Sequence, residues 1–279
     1  MTFREALREG SDRLESSASD TPYLDALVIL TTAAQITKEQ LFARLDDPLD
    51  SLIAGSYREL LQRRSDGIPV AYLTHSKEFY GREFYVDERV LIPRADTETL
   101  VDAAIRAAKN HSWIRRVHDL GAGSGCIALT LKAERPDLEL SASDASPAAC
   151  EVFRFNAAGL RLYVPLFQTA YFEALSGPFD MIVSNPPYLT DAEVDTMVEH
   201  GWPEPQDALR AGTDGLDCIE TIVSESVHWL VDRGHLLLEA APPQMPMIKS
   251  MLRKAGFGGI AAVTDLAGRK RVVSGVKNG

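Results

Sequence analysis

The chain has 279 residues, enough for one large or two modest domains, and its 45% hydrophobic and 25% charged content is that of a soluble globular protein. With 29 basic and 40 acidic residues the formal charge is −11, which gives no field to gather nucleic acid and disfavours a duplex as the main substrate. Cys126, Cys150 and Cys218 are isolated, with neither disulfide-framework nor metal-ligand spacing, and no leader or apolar run of roughly 18 residues stands in the sequence, so a reduced, cytoplasmic setting without membrane or metal is expected.

Residues 1–67 read as a small helical bundle. Thr21-Pro22 offers a cap and a first-turn proline, Thr37 with Gln40 a capping box, Asp47-Pro48 a start before Leu49, Leu52 and Tyr57, and Gly67 a stop. After Gly67 the composition changes. Glu78-Phe79-Tyr80 and Glu83-Phe84-Tyr85-Val86 flank Gly81-Arg82, which predicts a β-hairpin within a linker spanning 68–92. Val90-Leu91-Ile92-Pro93-Arg94 then meets an acidic helix start, with Arg94 equally suited to an ion pair or a ligand contact.

From 93 to 279 an α/β domain is expected, because strand, loop and helix alternate. The pattern predicts strands near 116–120, 138–143, 163–168, 179–184 and 234–239, and helices near 124–134, 147–158, 215–231 and 243–256. Two more strands are expected at 260–264 and 271–276. His118 sits in the first of these strands, where a core-facing, hydrogen-bonded role is expected over a catalytic one.

Two stretches carry the chemistry. Gly121-Ala122-Gly123-Ser124-Gly125 ends the first strand, where glycines permit a tight turn and close ligand approach, and Asp144 ends the second, placed to hold ribose hydroxyls. The glycine spacing is that of neither dinucleotide enzymes nor P-loops, which argues against NAD and ATP. After the fourth strand comes Asn185-Pro186-Pro187-Tyr188. Its prolines cannot continue a ladder, so an amide side chain and free carbonyls become a rigid set of acceptors suited to a planar NH2 group. Together these features look like a class I S-adenosylmethionine methyltransferase with a Rossmann-like domain.

A narrower resemblance rests on Pro69-Val70-Ala71-Tyr72-Leu73, Leu91 to Glu98, Asp119 to Gly125, Asn185 to Tyr188, Glu204-Pro205 with Ala208-Leu209, and Gly212-Thr213-Asp214-Gly215-Leu216. From about Pro69 to Val273 the chain is similar to the protein-(glutamine-N5) methyltransferases, and within them to the release factor enzymes. The preference over the ribosomal-protein enzymes comes from Pro93 to Glu98 and Asp265-x-x-Gly268-x-x-Arg271.

That resemblance implies a helical substrate-recognition domain (1–67), a hairpin linker (68–92) and a Rossmann-like methyltransferase domain (93–279). It implies methyl transfer from S-adenosylmethionine, leaving S-adenosylhomocysteine, to the glutamine amide of the Gly-Gly-Gln loop in class 1 peptide release factors. Gly121, Ala122, Gly123, Ser124 and Gly125 would wrap the cofactor, Asp144 hold its ribose, and Tyr171 lie against the adenine. Asn185, Pro186, Pro187 and Tyr188 would hold the glutamine. Departures from the family pattern are Ala170 for an acid, His75 for a glycine, and Glu239 to Gln244 for a glycine-rich stretch. Two alternatives stand beside this reading: an N6-adenine nucleic-acid methyltransferase, whose flipped amino group fits the same acceptors, and a binding module that kept only the fold.

Overall fold

Capping decides where the N-terminal helices begin. Thr2 and Thr37 each accept from the backbone three residues on, while Glu5 and Gln40 reach back to the cap N–H, which starts helices α1 (Phe3–Glu15) and α3 (Lys38–Ala43). The computed structural model describes residues 1–17 and 19–279; Ala18, inside the span expected to be helical, lies outside the described residues. Helix α2 (Pro22–Ala34) has its proline in the first turn, but Thr21 turns its hydroxyl to Asp25 Oδ1 (3.0 Å) and makes no side-chain cap. Helix α4 (Ser51–Ser65) begins later than Asp47-Pro48 implies, because Asp50 accepts the Leu52 N–H at 2.8 Å. These helices close over Leu14, Ile29, Leu30, Leu41, Tyr57 and Leu61, all essentially inaccessible to solvent.

Helix α5 (Val70–Thr74) ends on His75 in the left-handed region, at φ 53°. That is the conformation a glycine adopts without strain, so the departure at this position keeps the backbone path and adds local strain. His75→Gly is expected to raise the stability of the chain by about 1 kcal/mol, read as a shift in the denaturant midpoint.

Two compact units result, Met1–Ser76 with Val198–Pro203, and Lys77–Met197 with Glu204–Gly279. The hairpin expected as a linker belongs to the second unit. Strands β1 (Lys77–Phe79) and β2 (Arg82–Phe84) are antiparallel, and Phe79 and Phe84 are buried in the core of the second unit, which ties the hairpin down. Its turn is Tyr80-Gly81, one residue earlier than Gly81-Arg82. Both turn residues have positive φ (53° and 70°), the backbone that matches strand twist in a two-residue hairpin.

The second unit is built on a seven-stranded sheet in the order β5-β4-β3-β6-β7-β9-β8. Strands β3 (Arg116–Leu120), β4 (Glu139–Asp144), β5 (Leu166–Gln168), β6 (Phe179–Ser184) and β7 (Leu230–Glu239) run parallel; β8 (Phe257–Thr264) and β9 (Lys270–Lys277) add an antiparallel edge. Period-two alternation divides the core. Met181 and Val183 join the face covered by α6 (Glu98–Asn110) and α7 (Cys126–Glu134), whereas Ile182 joins the face covered by α10 (Asp217–Trp229) and α11 (Met245–Lys254). Helix α8 (Pro147–Gly159) places Phe153 with the first of these clusters, and α9 (Asp191–Glu199) lies between β6 and α10 in the chain.

His118 is fully buried in β3, with Nδ1 and Nε2 each 2.9 Å from a serine hydroxyl of β4, Ser141 and Ser143, and its ring stacked on Phe179. Burial drives its pKa down to about 3. It is a neutral core histidine, as its place in a strand predicts. Among the described residues no helix is long and apolar enough to cross a membrane, and no group of three or more metal-ligating side chains is found.

Candidate active site

The strand order reverses at β3, whose neighbours β4 and β6 lie on opposite sides. In an open α/β sheet that reversal opens a crevice at the carboxyl ends of the strands. All three sequence motifs end there: the glycine turn after β3, Asp144 closing β4, and Asn185 after β6. A cavity of about 520 Å³ occupies the crevice and is walled by Gly121 to Ser124, Asp144, Tyr171 and Asn185 to Pro187.

Asp144 is pinned by backbone. Its Oδ2 accepts the Gly123 N–H at 2.8 Å and its Oδ1 the Ser146 N–H at 2.9 Å, just before α8. Burial raises its pKa, and those two N–H groups oppose the rise. Each oxygen keeps a lone pair for a hydroxyl. At Gly121 and Gly123 an added Cβ would meet no heavy atom within 4 Å, so these residues leave open space beside the acid. A roomy cavity, a fixed carboxylate and an unobstructed backbone turn fit a ribose-bearing cofactor.

Gly125 has a different task and does not line the cavity. It sits at φ 84° immediately before α7, and a Cβ there would fall 2.7 Å from Phe153 Cδ2. Close packing against Phe153 and Leu129 therefore sets where α7 starts. Asp119, fully buried, accepts the Ala128 N–H of α7 at 2.9 Å and leaves Oδ1 without a partner among the described residues; burial pushes its pKa up to about 7. Asn156 of α8 donates to the Ser124 carbonyl (2.8 Å) and the Tyr85 carbonyl (3.0 Å), clamping the glycine turn to the segment after the hairpin.

Tyr171 lies on the wall, its backbone at φ 46° and its ring packed against the core that α10 covers; burial, with Cys218 beside it, pushes its pKa up to about 12. Ala170 lines the same stretch of wall without a side-chain acceptor.

Asn185 Nδ2 donates to Thr97 Oγ1 at 3.3 Å. No hydrogen bond among the described residues ends on Asn185 Oδ1 or the Pro186 carbonyl, so both remain acceptors at the cavity. Tyr188 does not reach the wall. It packs against the core shared with α10 and α11, and its carbonyl accepts from Gln244 Nε2 at 3.0 Å. Gln244 also donates to the Gly215 carbonyl (2.9 Å), and a Cβ on Gly215 would stand 2.4 Å from the Tyr188 oxygen. The Gly212 to Leu216 motif therefore serves the proline turn from behind.

Arg94 forms the ion pair that was one of its two readings. It pairs with fully buried Glu204, which also accepts the Ile92 N–H at 3.0 Å, and it lines the cavity. The stretch from Pro93 to Glu98 is fastened to the chain end, since Arg269 and Arg271 both bridge Asp96 and Asp265, with Arg271 at 2.7 Å from Asp96. Thr97, Asp119, Asn156, Glu239 and Gln244 were assigned no role from sequence. Thr97 and Asp119 lie within motifs that carry the resemblance and Glu239 and Gln244 within the stretch that departs from it, while Asn156 is a polar residue of a largely apolar helix.

The strand order, with its antiparallel edge, and the site at its reversal define a class I S-adenosylmethionine-dependent methyltransferase. Residues 5–74 match the PrmC N-terminal domain model and 98–203 the methyltransferase small domain. A release factor glutamine methyltransferase of Neisseria gonorrhoeae is 38% identical over 260 residues, covering 92% of this chain and 94% of the relative. Its counterpart in Salmonella typhimurium is 37% identical over 278 residues and covers 99% of both. Among solved structures, a 16S rRNA N2 G1207 methyltransferase of T. thermophilus superposes with TM-score 0.52 at 20% identity, over 73% of this chain and 50% of that one, a likeness of fold. The chain belongs to the release factor glutamine methyltransferase family.

Proposed function

We propose that the chain methylates the side-chain amide nitrogen of the glutamine in the Gly-Gly-Gln loop of class 1 peptide release factors, in the cytoplasm. The observation that carries this reading is the pair of free acceptors, Asn185 Oδ1 and the Pro186 carbonyl, on the same cavity wall as the glycine turn and Asp144. Family membership supports the substrate, and the match of the first unit to the PrmC N-terminal domain supports its role in recognising that substrate.

S-adenosylmethionine, when bound, supplies a methyl group on a sulfonium centre, already a strong leaving group. The residues must therefore bind, align and make a lone pair usable on a poor nucleophile. Gly121 to Ser124 and Asp144 hold the cofactor by turn and ribose, and Tyr171 gives its base an apolar wall. Asn185 Oδ1 and the Pro186 carbonyl each accept one hydrogen of the glutamine NH2, which orients the nitrogen and favours it as positive charge develops there. Such alignment is worth about 7–11 kcal/mol in favourable systems. No general base is needed before attack, and the displaced proton leaves to water. Pro187 stiffens the turn, and Tyr188 supports it from the core side.

Asp144→Ala is expected to weaken binding of S-adenosylhomocysteine by roughly 10- to 150-fold, the worth of hydrogen bonds to a charged group. Calorimetric titration reads this directly, and unchanged affinity would remove Asp144 from the cofactor site. The reaction itself is tested by incubating the chain with methyl-labelled S-adenosylmethionine and, in parallel, release factor, ribosomal proteins and DNA, with the label mapped by mass spectrometry. Label on the Gly-Gly-Gln glutamine supports the proposal. Label on another glutamine changes the partner, and label on DNA alone overturns it.

A further inference from the structure

Asn185 can present either end of its amide to the cavity, and only the oxygen end accepts hydrogens from a glutamine NH2. What fixes the choice is a chain of buried polar groups behind it. Thr97 Oγ1 receives Asn185 Nδ2 at 3.3 Å, and Thr97 is 2% exposed, so no solvent competes for its hydroxyl. A hydroxyl that accepts from Asn185 must send its own hydrogen elsewhere, and the acceptor that stands beside it is the carboxylate of Glu239 at the end of β7. Glu239 is 1% exposed, and its Oε2 has no hydrogen-bond partner among the described residues. A buried carboxylate with an unmade bond is costly.

We propose that Glu239 and Thr97 are positioning residues: the Glu239 carboxylate orients the Thr97 hydroxyl, that hydroxyl holds Asn185 Nδ2, and Oδ1 is thereby turned toward the glutamine. The inference rests on the proposed glutamine chemistry and deepens it. It gives the site a polarity that depends on charge. A protonated Glu239 becomes a donor to Thr97, frees the Thr97 hydrogen to point at Asn185, and favours the reversed amide, whose NH2 repels the substrate NH2.

Burial pushes Glu239 up to about 7, opposed by the Thr97 hydroxyl and by Arg271 and Arg94, and assisted by Asp96. Both arginines are paired, with Asp96 and Asp265 in one case and Glu204 in the other. Tyr188, also facing Glu239, is raised by burial and stays neutral. Because the carboxylate is the working form, turnover rises with pH through neutrality. Asp119 is pushed up to about 7 as well, so the assignment needs a variant at Glu239 itself.

The test compares wild type, Thr97→Val, Thr97→Ser and Glu239→Gln on release factor across a pH series, with S-adenosylhomocysteine affinity measured by calorimetry. Thr97→Val is expected to lower kcat about 10- to 100-fold, the scale on which outer partners of a site act, while Thr97→Ser returns to within about threefold and inhibitor affinity holds within about twofold. Glu239→Gln is expected to lose the acid limb of the profile. Wild-type kcat in Thr97→Val, equal impairment in Thr97→Ser, or an unchanged acid limb in a folded Glu239→Gln would each overturn the inference. A wild-type enzyme that labels no glutamine in release factor would instead overturn the proposed function, and this inference with it.

Discussion

Replacing Asn185 by alanine is expected to lower kcat by about 10²- to 10³-fold, the cost of removing one preorganised partner of a developing charge, while affinity for S-adenosylhomocysteine changes by no more than about twofold. The split follows from where the side chain sits. Asn185 follows β6, on the wall shared with the glycine turn, and its Nδ2 is committed to Thr97 while Oδ1 has no partner. Truncation deletes that free acceptor and leaves the Pro186 carbonyl, the Asp144 clasp and the glycine turn in place. Single-turnover kinetics and calorimetry on the same preparation separate the two terms. Parallel loss of turnover and affinity would make Asn185 a structural prop of the cavity.

Gly125→Ala is expected to have the largest effect on stability, about 2–5 kcal/mol, from left-handed backbone strain together with overpacking. A Cβ at φ 84° would stand 2.7 Å from Phe153 Cδ2 and 2.9 Å from Leu129 Cδ1, and Phe153 is 1% exposed in the core beneath the turn. The ring cannot yield without opening the packing between α7 and α8. The shift passes to Gly123, whose N–H is aimed at Asp144, so cofactor affinity falls with stability. Gly67→Ala is the control: it has φ 98° and no heavy atom within 4 Å of its added Cβ, and so carries strain alone, about 1–2 kcal/mol. Denaturant midpoints that fall equally in both variants would dismiss the packing argument.

Much of this arrangement was legible in the sequence because it is written in local rules. Alternation of short apolar runs with helical periods marked the parallel strands within a few residues. Of the helix starts the sequence offered, Thr37 with Gln40 caps α3 through partners three residues apart, whereas Thr21 makes no side-chain cap and α4 starts from Asp50. Gly121 to Ser124, Asp144 and Asn185 to Pro187 were recognisable because each motif ends its own strand, and ends of adjacent parallel strands must meet.

Tertiary structure decided whatever depends on contacts between distant segments. Whether Gly125 touches a ligand or Phe153, and whether Tyr188 faces the cavity or the core, turns on packing that no spacing encodes. The same holds for Arg94, whose partner Glu204 lies 110 residues away, and for the Asp96 clasp reached from 173 residues on by Arg269. Asn185 could be named as an acceptor from its prolines alone. The direction in which its amide points is set by Thr97 and Glu239, brought behind it by α6 and β7, because a hydrogen-bond chain acquires its polarity only when the buried groups at its far end are in place.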